Sequence, residues 1–459
     1  MLASTYGDPD RNSLKGLCLD EKSAALIVGL GKTGYSIARF LAGQGIRFAV
    51  TDTREVPPFI NELREEFPDA AVFLGGFQKA SFDAATHIIV SPGVSLNEPL
   101  IQSAARRGIP IIGDLDLFAS MVRAPVLAIT GANGKSTVTT LVGMMAEADG
   151  RKTRVGGNLG TPMLDLLDDE AELYVLELSS FQLESSHVLA PIAATVLNIS
   201  PDHMDRYTNL QAYADAKRRI FSGPGLMVLN RDDPMVAKMY LADRKTVWFG
   251  LEGKHCDYEV RVLEGDEWLV CQDQPIMLRR EVRLHGRHNL ANALAALALG
   301  NAAGLSRAAM VSTIKSFGGL DHRAQWVSNL GDVTWINDSK ATNVGACMAA
   351  LAGMEQPVVL IAGGDGKGAD FCALRPVVKE KVKALILMGR DAPLMQAALE
   401  DLVKTVLVAN MTEAVRAASE LAMAGDAVLL APACASLDQY KDYQERGRVF
   451  TEEVRKLTL

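Results

Sequence analysis

The segment Thr130-Gly-Ala-Asn-Gly-Lys-Ser-Thr137 sets two glycines, a lysine and paired hydroxyls directly after the apolar run Val126–Ile129. A strand ending there, a tight turn and a helix starting near Lys135 would aim the N–H groups of Gly131, Asn133 and Gly134 at an anion, with the positive end of the helix dipole behind them. Lys135 would supply a mobile cation for the β- and γ-phosphates, and the Ser136 or Thr137 hydroxyl would reach a phosphate-bound Mg²⁺. The chemistry is nucleoside-triphosphate binding. The longer phosphate-loop pattern calls for glycine at position 129, where Ile129 stands, so the loop is a shortened form. An ordinary strand-to-helix turn is the plain alternative.

A second glycine loop, Gly29-Leu-Gly-Lys-Thr-Gly34, follows Ala24–Val28 and opens a helix at Tyr35, and Asp52 ends a second strand 18 residues later. This is dinucleotide-fingerprint spacing, with the acid placed to meet a ribose hydroxyl. The loop suits a nicotinamide cofactor or the diphosphate of a nucleotide-linked substrate, and spacing alone leaves both open. Ser91-Pro92-Gly93 adds a tight turn on the same rim. Glu177 ends an apolar run, as a Mg²⁺ ligand or an ion-pair partner would. His203 follows the next strand and could bind a second metal. Lys217, four residues after Tyr213 on an expected helix, reads as a solvated cationic face. Asn289 and Asn292 lie three apart at the start of an Ala-rich helix, where they could meet an adenine edge, or Asn289 could cap.

The last third repeats the pattern of chemistry at strand ends. Asn337-Asp-Ser-Lys-Ala-Thr-Asn343 groups an acid, a base and hydroxyls. Gly363–Gly368 would expose Lys367 on an anion-accepting loop. Ala431–Ser436 is expected to lead into a helix whose free N–H groups could take a carboxylate. Three such loops on one edge predict a pocket for an anionic small molecule.

What must position these residues is a set of strands alternating with helices: Ala24–Val28, Phe48–Val50, His87–Val90, Val126–Thr130, Leu173–Leu178, Ala194–Asn198, Val333–Ile336, Val358–Ala362, Ala384–Met388 and Ala427–Leu430. The alternation predicts an α/β protein with mainly parallel sheets, whose ligands bind at the carboxyl ends of the strands. The segment from Asp257 to Arg283 is irregular and reads as a short β excursion. With 459 residues, 48% of them hydrophobic, three domains are expected, 1–123, 124–318 and 319–459, with boundaries near Arg123-Ala-Pro125 and Phe317-Gly-Gly319. A net charge of −8 without a basic block argues against nucleic acid. Six scattered cysteines indicate neither zinc nor disulfides and suit a reducing cytoplasm. The N-terminus lacks a signal-peptide pattern, and no apolar run is long enough for a membrane span.

Taken together, the strings Gly29–Gly34, Leu176–Glu184, Asp202–Tyr207, Asn337–Asn343 and Ala433–Gln439, with the Thr-Gly-x-Asn-Gly-Lys-Ser loop, resemble the Mur ligases of peptidoglycan synthesis over essentially the whole chain. The resemblance implies a Rossmann-like N-terminal domain for a UDP-linked substrate, a central ATPase domain of P-loop type and a Rossmann-like C-terminal domain for an amino acid. The strings match best the branch that joins D-glutamate to UDP-N-acetylmuramoyl-L-alanine. This would give Gly31, Thr33, Asp52, Thr53 and Arg54 to the uridine side, and Ser91, Pro92, Gly93, Asn158 and Ser179 to the diphospho-sugar side. Gly131, Asn133, Gly134, Lys135, Ser136, Thr137, Asn289, Asn292, Arg323 and Asp338 would hold ATP. Ser136, Glu177, His203 and a CO₂-carbamylated Lys217 would hold two Mg²⁺ ions, and Lys135, Glu177, His203 and Lys217 would carry catalysis. Thr342, Lys367, Ser436, Leu437 and Tyr443 would surround the amino acid, Tyr443 standing where the family usually has Phe. A monomer acting on small molecules is expected. Rival readings are another amino-acid ligase of this superfamily, a nicotinamide-dependent oxidoreductase using Gly29–Gly34, and a nucleotide-binding regulator. The Asp-Asn-Pro-Arg string usual in the diamino-acid ligases is absent.

Overall fold

A computed structural model describes residues 14–457 apart from 187, 205, 252–255, 285 and 355. Asp205, inside one of the strings above, His285 and the N-terminal segment read for a signal lie outside the described residues.

Three separate sheets follow one another along the chain. The first holds β1 (Ala24–Val28), β2 (Arg47–Thr51), β3 (Ala71–Phe73), β4 (His87–Val90) and β5 (Ile111–Ile112), all parallel in the order β3-β2-β1-β4-β5. The second holds β6 (Val126–Thr130), β7 (Thr153–Gly157), β8 (Leu173–Glu177), β9 (Ala193–Val196), β10 (Leu226–Asn230), β11 (Thr246–Gly250), β12 (Tyr258–Leu263), β13 (Asp266–Cys271) and β14 (Gln274–Leu278). Their order is β14-β13-β12-β11-β10-β9-β6-β8-β7, parallel except for the β12-β13-β14 meander. That meander is the β excursion expected between Asp257 and Arg283. The third sheet holds β15 (Gln325–Leu330), β16 (Val333–Asn337), β17 (Val358–Ala362), β18 (Val382–Leu387), β19 (Lys404–Leu407) and β20 (Ala427–Leu430) in the order β15-β16-β20-β17-β18-β19. Only its β15–β16 pair is antiparallel.

Apolar strands such as β6, β8 and β17 are buried along their whole length, because helices cover both faces of a parallel sheet. Helix Lys135–Ala148 packs Val138, Leu141, Val142 and Met145 into the core that holds Leu127, Ile129 and Val175. The Ala- and Leu-rich helix Arg287–Ala302 is buried nearly all round and packs beside it. Each fully buried leucine there contributes roughly 1.5–3 kcal/mol relative to exposure, so the phosphate loop is carried on a stiff support.

Two expected helix starts differ. The helix after the first glycine loop begins at Lys32, not Tyr35. No helix follows Ser436 directly: the chain turns until Tyr443, where Asp442 caps the helix by accepting from the Glu445 N–H. After Ser436 the chain forms a turn in which the Gln439 and Tyr440 N–H groups donate to the Ser436 carbonyl.

Candidate active site

The loop after β6 has the expected shape. Gly134 adopts φ +84°, and a Cβ on it would lie 2.4 Å from the Asn292 Oδ1, so only glycine fits. Helix Lys135–Ala148 starts directly behind it. Asn198, two residues past β9, latches the loop: its Oδ1 accepts from the Asn133 N–H at 2.8 Å and its Nδ2 donates to the Asn133 carbonyl at 3.1 Å. The Lys135 ammonium donates to the Gly131 and Ala132 carbonyls, both at 2.8 Å. Burial lowers its pKa, as does Arg323, while Glu177 and Asp202 oppose the shift.

A cavity of about 300 Å³ opens beside this loop. Asn133, Gly134, Thr137, Asn289, Asn292, Arg323 and Asp338 line it, so most of the expected ATP set is gathered in one place. Asn292 Nδ2 donates to Asn289 Oδ1 at 3.1 Å, and the helix is capped by Gly286, which removes the capping role considered for Asn289. The lining also includes Asn230, Phe249, His288 and Lys340, which the sequence reading did not assign. Lys340 had a signal in the Asn337–Asn343 string; Phe249 and Asn230, on strands with no motif, had none.

Strand register places an acid next to the loop. Ile129 of β6 pairs with Glu177 of β8, which brings that carboxylate beside the phosphate loop. Glu177 is only 2% exposed; its Oε1 accepts from Asn158 Nδ2 at 2.7 Å, while its Oε2 is buried without a hydrogen-bond partner. A bare buried carboxylate oxygen is costly, and a cation would satisfy it. Lys217 is also buried, at 1% exposed, which overturns the solvated-face reading. Its Nζ donates to Thr130 Oγ1 at 3.3 Å and lies 4.6 Å from the Tyr213 ring centre. Burial first, and then the neighbouring Lys135 charge, hold its pKa well below that of an ordinary lysine. His203 sits at φ +55°, an unusual conformation for a side-chain-bearing residue, 3.8 Å from the Asp202 Oδ2. Among the described residues no three His, Cys, Asp or Glu side chains converge as a ready metal cluster. The Ser136 hydroxyl accepts from Arg323 Nη2 at 2.6 Å.

The third sheet closes the opposite side. Besides the Arg323–Ser136 contact, Asn343 Nδ2 donates to Asp202 Oδ2 at 3.3 Å. Lys340 lies 3.9 Å over the Tyr443 ring, and burial brings its pKa down to about 8, with Arg323 and Lys135 adding to the shift. Burial likewise lifts Asp338 to about 6, a hydrogen bond from the Ala324 N–H opposing it. Ser436 is buried, Leu437 is 70% exposed, and Lys367 is exposed at φ +51°. Their two loops are joined by backbone hydrogen bonds between Asp365 and Ala435. Thr342 lies in the turn after Lys340, its N–H donating to the Lys340 carbonyl at 2.7 Å.

On the first sheet, Asp52 accepts from the Leu30 N–H at 2.7 Å and from the Arg54 N–H and Nε at 2.9 Å. Both carboxylate oxygens are engaged, so Asp52 braces the glycine loop and orients Arg54. Burial works against its charge, but the bonds from Arg54 and Leu30 hold its pKa below the usual value. Thr53 and Arg54 follow it at the strand end, and Gly31 and Thr33 lie at the start of the neighbouring helix. Ser91 Oγ donates to the Gly29 carbonyl at 2.7 Å, and the Val94 N–H closes the Pro92-Gly93 turn onto the Ser91 carbonyl at 2.9 Å. Ser179 caps helix Ser180–Glu184 in a capping box with Gln182.

Gln182 Nε2 also donates to Asp114 Oδ2 at 3.1 Å, and Asp114 Oδ1 is buried without a partner. Burial pushes the Asp114 carboxyl up to about 6, with Asp116 adding and Gln182 opposing. Because the folded pKa lies above the ~3.9 of an unfolded Asp, the associated stability is fully present below about pH 4 and lost as pH rises through the folded value. Asp114→Asn, which keeps an acceptor for Gln182, is expected to melt higher than the parent at pH 8, equivalent to about 1–3 kcal/mol. The two should coincide near pH 4. Thermal unfolding at both pH values checks this; an equal offset at both would contradict it.

A phosphate loop heading a mainly parallel sheet, one of three successive α/β sheets, with Arg323 and Lys340 in the cavity beside it and an orphan carboxylate at the end of the adjacent strand, defines a nucleotide-using enzyme of three α/β units. Three family domains match the chain: "Mur ligase MurD-like, N-terminal domain" at residues 23–113, "Mur ligase middle domain" at 129–300 and "Mur ligase, glutamate ligase domain" at 322–434. The chain belongs to the Mur ligase family and is an ATP-dependent amide-forming ligase. It is 60% identical over 96% of both chains to UDP-N-acetylmuramoylalanine--D-glutamate ligase of Methylococcus capsulatus. It is 51% identical to the ligase of the same name from Nitrosococcus oceani, over 95% of this chain and 97% of that one. Among solved structures, a pseudomurein peptide ligase type C from Methanothermus fervidus aligns with a TM-score of 0.62 at 18% identity, covering 95% of this chain and 100% of that one. The UDP-N-acetylmuramate-alanine ligase of Thermotoga maritima aligns at 0.59 and 18% with the same coverage. These two support the fold.

Proposed function

We propose that this enzyme joins D-glutamate to UDP-N-acetylmuramoyl-L-alanine with ATP, releasing ADP and phosphate, in peptidoglycan precursor synthesis. The single observation that carries the reading is the identity, at 60% over 96% of the chain, to a relative bearing that activity in its name. The nicotinamide reading has no support from the matched families and leaves the phosphate loop unexplained.

The terminal carboxylate of the UDP-linked substrate attacks the γ-phosphorus, ADP leaves, and an acyl phosphate forms. The D-glutamate amine then attacks the acyl carbon, loses a proton and expels phosphate. Both steps bring anions together, so neutralisation is the main demand. Lys135 and the loop N–H groups meet the transferring phosphoryl group, with Arg323 and Lys340 on the facing wall. Glu177 and the Ser136 or Thr137 hydroxyl would hold a first Mg²⁺, and His203 with a carbamylated Lys217 a second. Bound there, Mg²⁺ would supply positive charge to the phosphate oxygens. Lys217 suits carbamylation: a buried amine held neutral can attack CO₂ and shed a proton, and the resulting anion gains Lys135 as a neighbour. We assign Gly31, Thr33, Asp52, Thr53 and Arg54 to the uridine, Ser91–Gly93, Asn158 and Ser179 to the diphospho-sugar, and Thr342, Lys367, Ser436, Leu437 and Tyr443 to D-glutamate. Asp52 acts by shaping the glycine loop and orienting Arg54.

The domain limits 1–123, 124–318 and 319–459 are our assignment, supported by each sheet and each matched span falling within one of them. A cytoplasmic monomer fits nucleotide-linked substrates; among the described residues no helix is long and apolar enough to cross a membrane. The test is phosphate release with ATP, Mg²⁺ and UDP-N-acetylmuramoyl-L-alanine, offering D-glutamate, L-glutamate, L-lysine or meso-diaminopimelate in parallel. Release with D-glutamate alone is expected. Release with another amino acid alone would reassign the substrate.

A further inference from the structure

Arg206 has no part in the chemistry above, yet it is one of the side chains that tie the first and second sheets together, beside the Ser36–Asp165 and Gln182–Asp114 contacts. It lies on the loop after β9, three residues beyond His203, and its backbone N–H donates to the His203 carbonyl at 2.9 Å. Its guanidinium reaches across to the turn after β4: Nη1 donates to the Pro92 carbonyl at 2.9 Å and Nη2 to the Val94 carbonyl at 3.1 Å. Nη2 also meets Glu184 Oε2 at 3.1 Å, with the Arg206 and Glu184 side chains 14% and 20% exposed. The guanidinium carbon stacks 4.0 Å from the Phe181 ring centre, and the same ring packs edge-on against His203 at 4.8 Å.

Two loops of the site thus share one anchor. On one side the Ser91–Val94 turn continues, through the Ser91 hydroxyl, into the Gly29 carbonyl of the first glycine loop. On the other side is His203, held in a left-handed conformation that its surroundings must enforce. We propose that Arg206 is a positioning residue. It fixes the spacing between the turn that meets the diphospho-sugar and the His203 loop, so that the acyl end of the UDP-linked substrate is delivered to the phosphate loop. This rests on the reading of the first domain as the UDP-substrate site. A planar fork that spans two carbonyls, a carboxylate and an aromatic face is a task for arginine; lysine offers a point charge that cannot reach all of them in one plane.

The test uses the full-length enzyme with Arg206→Lys and Arg206→Ala, following phosphate release as each substrate is varied. Both variants are expected to raise KM for UDP-N-acetylmuramoyl-L-alanine roughly tenfold or more, as loss of a desolvated charged contact does, and to move KM for ATP less than about twofold. Added guanidinium should restore part of the loss in Arg206→Ala. An unchanged KM for the UDP-substrate, or KM values for all three substrates rising together without guanidinium rescue, would overturn the proposal. Calorimetric binding of the UDP-substrate to the unaltered enzyme separates the two claims: no binding there would overturn the first-domain reading itself, whatever the variants do.

Discussion

Lys135→Ala is expected to lower turnover by at least ~10²–10³, with the fold intact. The ammonium sits on the phosphate loop, bound to the Gly131 and Ala132 carbonyls, in a region where burial already disfavours its charge. An anion entering the loop would exchange those weak acceptors for phosphate oxygens and restore the full charge. The interaction therefore strengthens as negative charge builds on the transferring group, which is the condition for accelerating the step and not merely binding ATP. Steady-state phosphate release with saturating substrates checks it. A variant that kept more than about a tenth of the parent rate would contradict the assignment of Lys135 to phosphoryl transfer.

Lys217→Ala should be comparably damaged, by roughly 10²–10³, and should regain activity when short carboxylates such as formate or acetate are added. An ordinary buried lysine would leave a cavity that carboxylates do not repair; a carbamylated one leaves a missing anion that they do. The environment fits the second case, with the amine at 1% exposure, one hydroxyl contact at 3.3 Å and the Lys135 charge nearby. Activity assays with and without added carboxylate, and the mass increment of CO₂ on the native enzyme, give two readouts. Indifference of the variant to carboxylate would remove the carbamate from the account.

The parts that were legible in the sequence are those where local chemistry and strand pattern agree. The loop from Gly131 to Thr137 announced itself because a fully apolar strand runs into residues that only a turn and a helix start accommodate. Glu177 was legible as an acid closing an otherwise apolar strand. Lys217 was not, because nothing in Tyr-Ala-Asp-Ala-Lys separates a solvated helix face from one buried at the end of β6; only the resemblance pointed to it. The helix expected after Ser436 failed for a reason that was readable: Asp442 and Glu445 have capping-box spacing, which starts the helix later. Before that point Asp438 turns away to accept from the Arg390 N–H at 2.8 Å. Strands β3 and β5, of three and two residues, are too short to show a period. Phe249 and Asn230 enter the cavity beside the phosphate loop only through the stacking order of the central sheet, which one strand's sequence does not encode.

Transfer of isotope tests the central claim most directly. With ¹⁸O in the terminal carboxylate of UDP-N-acetylmuramoyl-L-alanine, the enzyme, ATP, Mg²⁺ and D-glutamate are incubated together and the released phosphate is analysed by mass spectrometry. If the carboxylate attacks the γ-phosphorus and the amine later cleaves the acyl carbon–oxygen bond, one labelled oxygen must leave with phosphate. Phosphate carrying ¹⁸O is the expected result; amide product accompanied by unlabelled phosphate would contradict the acyl-phosphate route and, with it, the roles of Lys135, Glu177 and Lys217 in phosphoryl transfer.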